Sequence, residues 1–75
     1  MSNNLESLDY EIKKRFTYYP PKPGQHERYE TIREIARGFA MFIGEHCPDS
    51  RERAMALTKL EECVMWANAS IARNE

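Results

Sequence analysis

The sequence has 75 residues, and its 11 basic and 12 acidic side chains give a formal net charge of −1. This length allows one domain. A chain this short buries only about 60% of the surface that its unfolded form exposes, so we expect a partner subunit or a covalent cross-link to add stability. The near-neutral charge argues against a duplex nucleic acid partner, because a general DNA-binding protein needs a basic surface to release counterions from phosphate. Small anions remain possible ligands, since a few local arginines suffice to bind them.

The first predicted element is a short amphipathic helix over residues 1–16, with acidic side chains early and basic ones late, as the helix dipole favours. Its apolar residues recur at helical spacing: Leu5, Leu8, Ile12 and Phe16. Residues 17–24 then contain three prolines and a glycine, which exclude a helix. This second stretch is predicted to form a stiff, extended, proline-rich arm.

Two longer helices are predicted over residues 25–47 and 49–74. Pro48 separates them, and Asp49 with Glu52 three residues later resembles a capping box at the start of the third helix. The short connection predicts an antiparallel hairpin. Its seam consists of apolar residues at steps of three and four: Tyr29, Ile32, Ala36, Phe39, Ala40, Ile43, Leu57, Leu60, Val64, Ala67 and Ile71.

Further apolar side chains lie off this seam, namely Met41, Phe42, Met65 and Trp66. A lone hairpin would leave them in water. We therefore expect an all-α domain, residues 1–75, that assembles as a symmetric homo-oligomer with these side chains in its subunit interfaces.

The sequence contains histidines and cysteines, but their spacing fits neither a catalytic site nor a metal site. The only histidines are His26 and His46, and a tetrahedral metal site requires more ligands at tighter spacing. A nucleophilic cysteine requires a defined base. We expect no catalytic residue, no metal site and no cofactor. Cys47 is predicted to be a buried small side chain at a helix end, Cys63 a core residue, and His46 a favourable charge near a helix C-terminus.

The cellular compartment is predicted from the same two cysteines. They lack CxxC spacing, and the sequence shows neither a signal peptide nor an apolar run of membrane length. These features indicate an intracellular, reduced protein that does not enter a membrane.

Two features of the arm and the second helix suit a nucleotide-like ligand. Tyr18 and Tyr19 directly precede two prolines, and rings held rigidly can stack on nucleobases. They could equally pack across a subunit interface. Arg28, Arg33 and Arg37 lie close to the incoming arm, where one of them could bind phosphate. The alternative for these arginines is a surface ladder of ion pairs with Glu30 and Glu34.

The last turns of the third helix combine polar groups with small residues. Asn68 and Arg73 point to neighbouring faces, and the small residues around them are Ala67, Ala69, Ser70 and Ala72. An amide can read a donor and an acceptor on a base edge, and a guanidinium can hold phosphate. A helix–helix contact with a cationic C-terminal cap explains the same residues equally well.

Two long runs carry a resemblance to a known family: "FTYYPPKPGQHERYETIREIA" and "CPDSRERAMALTKLEECVMWANASIARNE". They resemble the phage anti-CBASS cyclic-nucleotide sponges, whose helical-hairpin domain also occurs in phage anti-Thoeris sponges. The motifs are an F-x-Y arm before prolines and Gly-Gln, then R-Y-x-x-I-R, P-x-S-R-E, T-x-L-E and M-W-A-N-A-x-I-A-R-N-E. The resemblance covers Phe16 to Glu75, with Tyr19 standing where the arm of the family has histidine.

The resemblance implies a non-enzymatic protein that sequesters cyclic oligonucleotides of bacterial antiphage signalling, acting in the cytoplasm of the infected host. It implies a compact hexamer with two kinds of pocket. Tyr18 and Arg33 would bind a base and a phosphate of cyclic dinucleotides such as 3',3'-cyclic GMP-AMP, and Asn68 and Arg73 would line a separate pocket for cyclic trinucleotides. The competing interpretation is a small helical interaction module that binds a host protein through the tyrosine arm and Trp66.

Overall fold

The computed structural model of the protein describes residues 2–75, with side chains from Leu5 onward. Met1, which the first predicted helix included, lies outside the described residues. Within this range the chain forms three helices and no strand: α1 (Ser2–Phe16), α2 (Gln25–His46) and α3 (Arg51–Asn74). The predicted all-α class and the order of one short and two long helices are therefore confirmed. Residues 17–24, between α1 and α2, are not helical.

Helices α2 and α3 form the antiparallel hairpin. Arg28, near the start of α2, is paired with Glu75, just past the end of α3. At the other end, the Arg53 guanidinium donates hydrogen bonds to the main-chain oxygens of Gly44 at 3.1 Å and Cys47 at 3.2 Å. Every predicted seam residue is partly buried except Phe39, which is 55% exposed. Helical periodicity alone therefore located the packed face of the hairpin.

The start of α3 differs from the prediction by one residue. Ser50, rather than Asp49, is the N-cap, and its hydroxyl accepts a hydrogen bond from the main-chain N–H of Arg53 at 3.0 Å. Asp49 lies one position outside the helix and pairs with the Arg53 guanidinium at 3.1 Å. The capping box predicted for Asp49 and Glu52 was wrong, because the serine side chain takes the capping role.

The single chain has almost no interior. Among residues 5–75 no hydrophobic side chain is buried, and Gln25 is the one buried residue. The radius of gyration is 17.0 Å, whereas a compact chain of this length has about 11 Å. Cys47 and Cys63 are both exposed, so the predictions that they are buried were wrong for the single chain. The predicted off-seam side chains are exposed: Met41, Phe42, Met65 and Trp66.

Candidate functional site

An open concavity of about 390 Å³ lies where the segment after α1 meets the start of α2 and the end of α3. Its volume falls at the lower end of the range of about 300 to 1000 Å³ typical of small-molecule sites. It is lined by Thr17, Tyr18, Tyr19, Tyr29, Arg33, Asn68, Ala69, Ala72 and Arg73. All four ligand-binding residues predicted from the sequence are among them. In the single chain they line one concavity, and the arrangement in two separate pockets stays a prediction about the oligomer.

The two arm tyrosines of this concavity have different environments. The Tyr19 hydroxyl donates a hydrogen bond to the main-chain oxygen of Lys14 at 3.2 Å, and its side chain is partly buried. Tyr18 is 80% exposed. The neighbouring tyrosine is thus held against α1, while the Tyr18 ring has both room and exposed surface for stacking on a planar group.

Arg33 and Arg73 contribute two guanidinium groups to the concavity. Among the described residues, neither side chain has a hydrogen bond or an ion pair. The predicted alternative, a ladder of Arg28, Arg33 and Arg37 with Glu30 and Glu34, is not formed among the described residues. Arg28 pairs with Glu75, and Glu30 lies 3.2 Å from His26. Both guanidinium groups are therefore available to an anion, with several N–H donors each.

Arg28, the third candidate for phosphate binding, already forms an ion pair with the Glu75 carboxylate. Its guanidinium donates two hydrogen bonds to the Glu75 carboxylate, at 2.8 Å and 2.5 Å. These bonds, together with one from the Gln25 amide, lower the pKa of the Glu75 carboxyl group to about 2. The same pairing raises the pKa of Arg28. Arg28 therefore serves to hold the end of the chain, and Arg33 is the better candidate for a phosphate.

Asn68 contributes a hydrogen-bond acceptor without a partner to the concavity. Its Oδ1 atom is buried and has no hydrogen-bond partner within the described part of the chain. Buried polar atoms in folded proteins are nearly always paired, so an unpaired one in a concavity is suited to a ligand donor such as a base amino group. Ala69 and Ala72 flank it, and their small side chains leave the helix surface accessible.

Two residues near the concavity were not recognised as functional from the sequence. Tyr29 was assigned to the hairpin seam, and its ring also lines the concavity. Gln25 was treated as the start of a helix and as part of the Gly-Gln motif, without a role of its own, yet it is 2% exposed. The signal for Tyr29 was available, because a tyrosine one turn before Arg33 lies on the same helix face. Gln25 gave no such signal, since its burial depends on a contact with the far end of α3.

A second, larger cavity of about 700 Å³ lies between α1 and α3. It is lined by Ser7, Tyr10, Glu11, Lys14, Arg15, Phe16, Trp66 and Arg73. Lys14 connects the two helices by a hydrogen bond from its Nζ atom to Asn74 Oδ1 at 3.0 Å. Arg73 lines both cavities and so stands between them.

Metal-ligating clusters and membrane-spanning helices are absent from the part of the chain that the structure describes. No cluster of three or more histidine, cysteine or acidic side chains is arranged there to hold a metal ion. None of the described helices is both long and apolar enough to span a bilayer. His46 contacts its own helix: its Nδ1 atom lies 2.9 Å from the main-chain oxygen of Phe42, and its ring stacks on the Phe42 ring with a centroid distance of 3.9 Å.

Fold and site together define a small helical-hairpin protein whose open concavity offers stacking rings, two unpaired guanidinium groups and an unpaired amide oxygen. These are the groups that bind the bases and phosphates of nucleotides. The family model "Acb2/Tad1, hairpin domain" matches residues 9–72, and the chain belongs to this family of anti-CBASS and anti-Thoeris sponges. Members of the family bind cyclic nucleotides as sponges and are not enzymes. Neither the curated proteins nor the solved structures contain a significant match to the chain.

Proposed function

We propose that this protein sequesters cyclic oligonucleotide second messengers in the cytoplasm of an infected bacterium and so prevents activation of CBASS effectors. The observation that supports this most directly is the concavity in which an exposed ring, two unpaired guanidinium groups and an unpaired amide oxygen converge. Cyclic oligonucleotides present the complementary groups: flat bases, phosphodiesters and exocyclic amines.

For cyclic dinucleotides such as 3',3'-cyclic GMP-AMP, we assign the base to Tyr18 and a phosphodiester to Arg33. Both residues line the same concavity, and the Tyr18 ring is largely exposed. Stacking of a base on an aromatic ring contributes about 1 to 3 kcal/mol. A guanidinium without a carboxylate partner can bind phosphate without first breaking an ion pair.

For cyclic trinucleotides, we assign Asn68 and Arg73, in a pocket that is completed by neighbouring subunits. Arg73 already lines the larger cavity between α1 and α3 as well as the smaller concavity. It can therefore serve a ligand approaching from either side. A symmetric oligomer that brings several α3 ends together would surround such a ligand with repeated amide and guanidinium groups.

The proposal includes assembly into a homo-oligomer, with a hexamer as the expected form. The chain has 6395 Å² of accessible surface, whereas a compact monomer of 8.8 kDa has about 4800 Å². This excess is well above the roughly 800 Å² that one partner buries in a standard interface. Apolar grooves of about 280 and 450 Å³ follow the hairpin seam and share Ala36, Leu60 and Val64.

Thermal unfolding with added ligand tests the function. A ligand that binds only the folded state stabilises it by about 2.7 kcal/mol at a concentration 100-fold above Kd, so cyclic dinucleotides and trinucleotides should each raise the unfolding midpoint with increasing dose. Linear dinucleotides of the same bases are the matched control. Recovery of intact cyclic nucleotide after denaturing the complex is expected of a sponge, and recovery of linear products would indicate a nuclease.

The second candidate is an interaction module that binds a host protein. The exposed side chains of Ile35, Phe39 and Trp66 favour it, because exposed apolar patches mark protein interfaces. Such a module would show the same unfolding midpoint with and without cyclic nucleotides. Calorimetric titration with a panel of cyclic nucleotides, combined with light scattering for mass, separates the two functions and reports the assembly at the same time.

A further inference from the structure

Gln25 is the one buried residue among residues 5–75, and it is polar. Both the oxygen and the nitrogen of its side-chain amide form hydrogen bonds. Oε1 accepts a hydrogen bond from the main-chain N–H of Lys22 at 2.9 Å, and Nε2 donates to a carboxylate oxygen of Glu75 at 3.1 Å. The Tyr29 hydroxyl also approaches Oε1, at 3.5 Å. One amide thus joins the arm, the end of α3 and a tyrosine of the concavity.

Glu75 forms the other half of this connection. Its carboxylate is held by Arg28 of α2, and its main-chain oxygen accepts a hydrogen bond from Lys22 Nζ. The arm, α2 and the end of α3 are therefore joined by one polar cluster, which we call the clasp: Lys22, Gln25, Arg28 and Glu75. It lies next to the concavity that contains Tyr18.

The arm has few other means of attachment to the hairpin. Three of its eight residues are prolines, which carry no N–H donor. Its other side-chain hydrogen bonds, from the Thr17 hydroxyl to Lys13 and from the Tyr19 hydroxyl to Lys14, lead back to α1. A turn bond from the main-chain N–H of Gln25 to the Lys22 oxygen, at 3.0 Å, joins the end of the arm to α2. At the other end Gly24 turns the chain into α2 with φ 85°, in the left-handed region that glycine adopts without strain. The clasp therefore fixes the arm to the hairpin.

We infer that Gln25 and Glu75 are positioning residues for the dinucleotide site: the clasp holds the arm so that the Tyr18 ring faces Arg33 across the concavity. The prolines transmit this constraint, because a proline-rich segment is stiff over several residues at about 3.1 Å per residue. Neither residue lines the concavity. Their effect on binding is exerted through Tyr18.

A double-mutant cycle tests this inference, which rests on the proposed function. Gln25→Met keeps the length of the side chain and removes its hydrogen bonds, and Glu75→Gln removes the charge that pairs with Arg28. Titration with 3',3'-cyclic GMP-AMP should show binding about tenfold weaker for Gln25→Met and about twofold to fivefold weaker for Glu75→Gln. Glu62→Gln, an exposed acid of α3 paired only with Lys59, is the matched control and should bind as the wild type does.

The decisive measurement repeats these substitutions in a Tyr18→Ala background. If the clasp acts by positioning the ring, Gln25→Met changes the affinity there by less than about twofold, so the effects of the two substitutions are not additive. Equal losses in both backgrounds would show that Gln25 only stabilises the fold and would overturn the inference, as would unchanged binding by Gln25→Met. Circular dichroism and light scattering confirm that each variant keeps its helicity and mass. Failure of the wild type itself to bind would instead reject the proposed function.

Discussion

Arginine residues of similar sequence context have different roles in this structure. Arg28 and Arg53 are committed to structure, the first to Glu75 and the second to Asp49 and two main-chain oxygens. Arg33 and Arg73 have no such partner among the described residues, and both line the concavity. An unpaired guanidinium exchanges only water for phosphate, whereas a paired one must first give up a carboxylate. The pairing, rather than the number of arginines, therefore identifies the candidate anion-binding groups.

The role of Tyr18 can be tested by removing its ring or only its hydroxyl. We predict that Tyr18→Ala weakens cyclic dinucleotide binding by about 1 to 3 kcal/mol, the contribution of one stacked base. Tyr18→Phe should bind as the wild type does, because stacking needs the ring and not the hydroxyl. Calorimetric titration measures both, after light scattering shows unchanged mass. Equal affinity for the alanine variant and the wild type would assign the ring to a subunit interface.

Several site residues could be predicted from the sequence because their signals are local. Tyr18 lies in a segment that its prolines keep out of a helix, and residues 68 and 73 lie on neighbouring faces of any helix that contains them. The clasp could not be predicted in this way. Gln25 is buried by Glu75, fifty residues away, and their contact exists only once α2 and α3 have packed antiparallel. The exposure of the two cysteines could not be predicted for the same reason, because it depends on how far the contact between α2 and α3 extends around each helix.

At the level of helices, the positions where α2 and α3 begin and end show which sequence signals determine a helix boundary. The prolines correctly separated the elements, since a proline excludes helix and biases the residue before it. At the start of α3, however, Asp49 and Ser50 are both good N-cap residues, and the sequence pattern does not choose between them. The structure selects Ser50, whose hydroxyl reaches the N–H of Arg53 while Asp49 pairs with the side chain of the same residue.

The capping assignment predicts different costs for two adjacent substitutions. Ser50→Ala removes the acceptor for a main-chain N–H and should lower the free energy of unfolding by about 1 kcal/mol, within a range of about 0.5 to 2. Asp49→Ala removes an exposed ion pair and should cost only about 0.2 to 1 kcal/mol. Urea denaturation of the two variants at the same protein concentration provides the comparison. A larger loss for Asp49→Ala would support the capping box that the sequence first indicated.

For the whole molecule, the large exposed apolar surface supports the proposed oligomer. A protein interior normally supplies the stability that offsets the loss of chain entropy, and this chain buries no hydrophobic side chain fully among residues 5–75. Phe39 illustrates the point: it follows the seam spacing but lies 55% exposed at the rim of an apolar groove. A second copy of the hairpin placed on this groove would convert an exposed ring into a buried one.

We therefore predict that Phe39→Lys lowers the mass of the particle in solution. Light scattering of the wild type at micromolar concentration should give a multiple of 8.8 kDa, and the variant should give a smaller multiple or lose helicity altogether. Glu45→Lys is the matched control. It introduces a lysine on the side of α2 opposite the packed seam, where Glu45 is exposed and has no hydrogen bond or ion pair among the described residues, and it should keep the wild-type mass. A monomeric wild type would contradict the prediction directly.

Whether the two proposed ligand classes have separate pockets depends on the proposed assembly. In the single chain, the pair Tyr18 and Arg33 and the pair Asn68 and Arg73 line one concavity. Separate pockets therefore require neighbouring subunits to enclose the second pair from the other side, where Arg73 also lines the cavity beside Trp66. The predicted two-pocket arrangement would thus be a property of the proposed oligomer, and substitutions in one pair test it.

We predict that Arg73→Ala and Asn68→Ala weaken cyclic trinucleotide binding by about 1.5 to 3 kcal/mol, the range for hydrogen bonds to charged groups, or roughly tenfold to hundredfold in Kd. Cyclic dinucleotide affinity should stay at the wild-type value. Arg51→Ala is the control, because it removes the same side chain about 33 Å away at the start of α3. Each variant is titrated with both ligand classes after its mass is confirmed. If both affinities fall together while the mass is unchanged, the concavity is a single site shared by the two classes.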